Sequence, residues 1–185
     1  IMPIADMSSK VNERELCGKA IESILALHPG ERLLIHSVSY DLTQWLKTNI
    51  RTSRPIFSYA NGRERDAALR QYERSEDGIL IAPSMDRGVD LPGDICRIVI
   101  VAKIPYPSLG SAQVNKRVHS HSDGNTWYAR KTARRLVQMT GRATRHLGDW
   151  SISYILDEQF GTLVSKNPLI FPSYWKEAVK YRKEI

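Results

Sequence analysis

Hydrophobic positions along the chain follow two alternating periods. In KVNERELCGKAIESILALHPG (residues 10–30) apolar residues recur three and four positions apart, and the run stops at Pro29-Gly30, which predicts a helix. RLLIHS (32–37) is a short continuous apolar run and predicts a strand. SYDLTQWLKTNI (39–50) returns to the helical period, with Ser39 or Asp41 as its N-cap. PIFSY (55–59) predicts a brief strand, and GRERDAALRQYERSEDG (62–78) a charged helix ending at a turn. GILIAPS (78–84) and CRIVIVAKIP (96–105) predict two more strands, the second rich in β-branched residues. After the polar loop SHSDGN, a helix is predicted over roughly residues 125–145. The strand WSISYILD (150–157), a short helix and a closing amphipathic segment (172–185) complete the pattern.

Continuous apolar strands separated by helices imply a mostly parallel sheet covered on both faces, an α/β three-layer sandwich. In such sheets, function gathers at the loops beyond the carboxyl ends of the strands. At 185 residues the chain is one domain by length.

Composition changes this picture little and charge changes it more. The 42% hydrophobic and 25% charged residues are ordinary for a globular protein, but the net charge of +7 favours a polyanionic partner. No apolar run approaches the ~20 residues of a membrane helix, and the first residues lack a signal-peptide pattern, so the expected location is cytoplasmic. Cys17 and Cys96 stand far apart in apolar stretches and read as buried thiols, without metal-ligand spacing.

Four stretches carry candidate chemistry. LLIHSVSYDL (33–42) brings His36, Ser37, Ser39 and Tyr40 to a helix start, where free N–H groups and hydroxyls suit a phosphate. An ordinary helix cap explains it as well. APSMDRGVDLPGD (82–94) follows a strand with Ser84, Gly88 and Asp90. Glycine permits close approach, and a carboxylate can accept from a sugar hydroxyl or orient an arginine, although a turn needs the same residues. In KIPYPSLGS (103–111) two prolines bracket Tyr106, which a stiff loop can offer to a base or pack as a rigid turn. QMTGRATR (138–145), read as helix, puts Gln138, Arg142 and Arg145 on one face with Gly141 between them. Paired guanidinium donors suit phosphoryl oxygens; a solvated basic face is the plainer reading.

A phosphate-cradling loop is missing from the pattern. ERELCGKA (13–20) has Glu13 for the first Gly and Ala20 for the Ser/Thr of such a loop, and it lies in a helical stretch. SYILDE (153–158) reads as a strand-end turn or helix cap at Asp157 and Glu158 rather than a magnesium site.

Taken in order, these stretches resemble the second motor lobe of superfamily 2 helicases. RGVD and QMTGRATR are similar to paired late motifs of that superfamily. LLIHSVSY, the long stretch SMDRGVDLPGDICRIVIVAKIPYP and QMTGRATRHLGDW resemble the DinG/XPD branch. Arg87 and Thr144 stand where that branch usually has Glu and Ile. The resemblance spans about residues 30–160 and implies a RecA-like lobe that completes an inter-lobe ATP site. It implies that Arg142 and Arg145 are arginine fingers, that Gln138 positions phosphate or water, and that Gly88, Asp90 and Gly141 belong to the nucleotide side. Ser37, Ser39, Tyr40, Ser84 and Tyr106 would face single-stranded DNA. ATP with Mg2+ would be held mainly by a first lobe outside this sequence, which in this branch also carries a 4Fe-4S cluster. The chain is then expected to be part of a longer DNA helicase or translocase and inactive as a separate lobe. A motor acting on RNA or duplex DNA, or a non-catalytic nucleic-acid-binding module, fits the same residues.

Overall fold

The computed structural model describes residues 5–7, 11–83, 91, 93–141 and 149–181. Five strands, β1 (Leu33–His36), β2 (Ile56–Ser58), β3 (Ile79–Ala82), β4 (Ile98–Val101) and β5 (Ile152–Ile155), form one sheet in the order β2-β3-β1-β4-β5. Every pairing is parallel. The three central strands are buried at every position, which is why they read as unbroken apolar runs. β5 is an edge strand, exposed at Ile152 and buried only at Ile155.

Helices α1 (Val11–Leu27) and α2 (Tyr40–Asn49) cover one face. Cys17, Ile21, Ile24, Leu42 and Leu46 meet Leu33, Ile35, Ile81 and Ile100 there. The turn after α1 is made by Gly30 at φ +77°, in the left-handed region that favours glycine. Alternation along the strands turns Leu34, Leu80, Val99 and Val101 to the other face. There α3 (Gly62–Arg74) packs with Leu69 and Tyr72. Further along that face α5 (Gly124–Thr140) and α6 (Gln159–Lys166) contribute Ala133, Leu136, Phe160 and Leu163. The result is the three-layer RecA-like α/β fold expected from the sequence. No described helix is long and apolar enough to cross a membrane.

One expectation needs correction. The region between Tyr106 and the SHSDGN loop holds a helix, α4 (Ala112–His119), that the pattern did not reveal. It buries no residue of its own and rests on α5. The following helix, α5, is described over Gly124–Thr140, with Gly141 N–H bound to Val137 O, and the predicted remainder to about 145 lies outside the described residues. The closing segment contains the short helix α7 (Ser173–Glu177).

Candidate functional site

The sheet brings the turns that follow β1 and β4 to one edge. Beyond the strand ends the ladder continues: Ser37 N–H donates to Ala82 O (3.1 Å), Ala102 N–H to His36 O (3.0 Å) and Leu156 N–H to Val101 O (3.1 Å). The carboxyl ends of β3, β1, β4 and β5 therefore lie side by side. Chain order reverses between β1 and β4, the place where parallel sheets open a ligand crevice.

The turn after β1 is the best-defined part. Ser39 is the N-cap of α2, its Oγ accepting from Leu42 N–H (3.2 Å). Ser37 Oγ lies 2.6 Å from Thr43 Oγ1, which donates to Ser39 O (2.9 Å). Between the two serines, Val38 is held at φ +66°. A β-branched residue there costs ~1–3 kcal/mol, and the buried hydroxyl pairs around it hold the strained turn in place. Ser37 is fully buried, its hydroxyl engaged with Thr43 within the turn. His36 is likewise fully buried. Ser39 is half-buried and Tyr40 is 48% exposed.

Tyr40 opens a cavity of about 410 Å³ that also takes Gln44 and Lys47 from α2 and Ser58, Tyr59 and Glu64 from the β2–α3 side. Sequence reasoning missed these last three. The available signal was the capping pattern of Asn61 and Glu64. Asn61 Oδ1 accepts from Arg63 N–H (3.0 Å) and Glu64 N–H (3.2 Å), while Ala60 N–H donates back to Glu64 Oε2 (2.9 Å).

The turn after β4 is stiff and anchored. Tyr106 stacks on Tyr128 of α5 at 5.5 Å and 12°, and Tyr128 Oη donates to Pro107 O (2.8 Å). Tyr106 is thus half-buried and packed, the plainer of the two readings of that loop. Beneath it, the buried Asp157 carboxylate accepts from Ile104 N–H (2.8 Å) and Gln159 N–H (3.0 Å). Burial pushes its pKa up, against the pull of those hydrogen bonds. Asp157 is the strand-end turn expected from SYILDE. Among the described residues no group of three His, Cys, Asp or Glu is placed to hold a metal ion. Burial pushes the thiols of Cys17 and Cys96 up to about 12 and about 11, so neither is a nucleophile at neutral pH.

Gln138 is exposed near the end of α5, two residues before the helix stops. Gly141 caps α5, its N–H bound to Val137 O (3.0 Å). Arg142, Arg145, Ser84, Gly88 and Asp90 lie outside the described residues. The Asp that follows the arginine stretch, Asp149, pairs with Arg97. Arg97 also donates to Trp150 O (2.9 Å), fixing the chain at the start of β5 to the start of β4.

A parallel α/β lobe with its polar turns along one sheet edge is the architecture of RecA-like motor lobes. Residues 21–178 match the family model described as the helicase C-terminal domain, and the chain belongs to that family. It is 30% identical over 105 residues to the ATP-dependent DNA helicase CHL1 of Candida albicans, covering 49% of this chain and 12% of that protein. It is 28% identical to a probable ATP-dependent helicase of Methanocaldococcus jannaschii, covering 87% of this chain and 28% of that one. The Fanconi anemia group J protein homolog of Gallus gallus is 25% identical over 78% of this chain and 13% of its own length. These relatives, several times longer than the chain, are of the DinG/XPD-like kind. Among solved structures, S. tokodaii Xpd4 superposes with a TM-score of 0.69 at 14% identity, over 98% of this chain and 37% of that one. S. cerevisiae Dbp5 bound to RNA superposes at 0.63 and 13% identity, over 98% and 40%. The fold is that of a second helicase lobe.

Proposed function

We propose that the chain is the C-terminal motor lobe of an ATP-dependent DNA helicase or translocase, working with a first lobe elsewhere in the same protein. The observation that carries this reading is the match of residues 21–178 to the helicase C-terminal domain, supported by a parallel sheet whose strands β3, β1, β4 and β5 end side by side. Arg142 and Arg145 reach the transferring phosphoryl group across the cleft as its charge spreads, a contribution of about 10³–10⁵ in rate. Gln138 positions phosphate or water, and Gly88, Asp90 and Gly141 line the nucleotide side. Ser39, Tyr40 and Ser84 meet the backbone of a single strand, with Tyr106 steadying the neighbouring turn. Magnesium, bound with ATP on the first lobe, supplies charge neutralisation at the phosphates. Closing the lobes on ATP and reopening them after hydrolysis moves the strand.

The test is Arg142→Ala in the full-length protein. DNA-stimulated ATP turnover is expected to fall by at least about 10³-fold while single-strand binding is retained. Unchanged turnover overturns the arginine-finger role. Turnover intact and binding weakened, with a smaller salt dependence, identifies a phosphate-binding module instead. The 185-residue chain by itself is expected to show no ATP turnover.

A further inference from the structure

Charge is not spread evenly over this lobe. Of the 27 Lys and Arg residues, six fall in residues 111–140, against one of the 20 acidic residues, so 30 residues carry +5 of the net +7. Those residues are the α4–α5 hairpin. Asn115 and Lys116 on α4, and Arg130, Lys131 and Arg134 on α5, are exposed. Among the described residues, Lys116, Arg130, Lys131 and Arg134 make no ion pair. Arg130 and Arg134 are one turn apart and share a face, with Lys131 beside them.

Two of the cations, Arg117 and Lys131, are held by neighbours. Arg117 grips the only acid of the hairpin, Asp123, through two nitrogens at 2.6 and 2.7 Å. Its guanidinium lies 5.4 Å from the Trp127 ring centre, and Lys131 Nζ lies 5.9 Å from the same ring. The two helices meet so closely at Gly124 that a Cβ there would fall 1.9 Å from Val118 O. At its inner end the hairpin joins the carboxyl edge of the sheet through the Tyr106–Tyr128 stack.

We propose that the outward face of the α4–α5 hairpin is a nucleic-acid-binding surface of its own, taking the phosphate backbone of a single strand beyond the carboxyl-edge turns. Exposed lysines and arginines spread over two helices suit a flexible polyanion, recognised without regard to sequence. The inference rests on the motor reading for the presence of a strand at that edge. An acidic protein segment is the competing occupant. It would use the apolar groove of about 300 Å³ where Arg130 and Arg134 border Leu169 and Ile170, and would leave the α4 cations idle.

The experiment uses the full-length protein with Arg130→Glu, Lys131→Glu and Arg134→Glu combined, and a second variant with Arg130→Lys and Arg134→Lys. Labelled single-stranded oligodeoxynucleotides of about 8 and about 25 nucleotides are titrated over a series of salt concentrations. The charge-reversed protein is expected to lose about tenfold or more in affinity for the longer strand, its salt slope shrinking by about two, at ~0.7 per phosphate contact. Binding of the short strand, and ATP turnover at saturating DNA, stay at wild-type values, and the lysine variant behaves as wild type. An unchanged affinity and slope for the longer strand overturns the proposal, with or without loss of an acidic protein partner. Equal loss for both lengths also overturns it, because the cations would then belong to the motor's own track. The motor reading fails separately, through Arg142→Ala, and that failure leaves the length and salt comparison readable.

Discussion

The α1–α2 layer and the α5 layer cover opposite faces of one sheet, and each buries aliphatic side chains against it. Their outer surfaces differ. On the first, charges close on one another: Arg14 of α1 pairs with Asp41 of α2, Glu13 accepts from Asp6 N–H and Glu22 from Arg51 N–H. On the second, α4 and α5 gather six cations around a single acid. A layer that mixes acids and bases, as α1 and α2 do with Glu13, Arg14, Glu15, Lys19, Glu22, Asp41 and Lys47, carries little net charge and stabilises the fold without an anionic partner. A layer that concentrates like charge on a rigid hairpin costs self-repulsion, which an anionic partner relieves.

The comparison fails if the α5 layer is simply less well packed, and the largest expected effect addresses that. Ile21→Ala on α1 and Leu136→Ala on α5 each remove a fully buried side chain. Both should destabilise by ~2–5 kcal/mol in urea unfolding, by similar amounts. A cost below about 1 kcal/mol for Leu136→Ala would mean a loose layer, with its charge an accident of poor packing. Next in size is Gly124→Ala, which forces Val118 O and the new Cβ apart. It should cost ~1–3 kcal/mol and speed amide hydrogen exchange in α4 while leaving α1 and α2 protected. Uniform loss of protection would show that the hairpin is not a separate unit.

The smallest effect lies on the α1 side. His28, just past α1, sits 2.8 Å from Tyr154 Oη of the edge strand. Burial lowers its pKa below the ordinary 6.5, with Arg54 adding to the shift and Glu31 opposing it. A lowered base is kept neutral by folding, so its contribution is present above about pH 6.5 and is lost as pH falls through its folded value. Between about pH 7 and pH 5 the unfolding midpoint of the wild type should drop slightly more than that of His28→Gln. Parallel curves would detach His28 from the stability of that layer.

The central sheet was legible in the sequence because β1, β3 and β4 are buried on both faces and cannot avoid being apolar. The Ser39 cap was legible because its hydroxyl acts within three residues. α4 was not legible: a helix that buries nothing has no apolar stripe, and it persists through its seat against α5 at Gly124. Ser37 looked available because sequence records a hydroxyl and not its enclosure by Thr43.

The sequence by itself determined the layer order, the polar turns at the strand ends and the family resemblance, since each of these is written in local spacing and residue type. Only the tertiary structure decided which hydroxyls face solvent, what holds Val38 in a left-handed conformation, and that Tyr106 of the β4 turn stacks on Tyr128 of α5. Burial and juxtaposition depend on residues distant in the chain, and no local pattern encodes them.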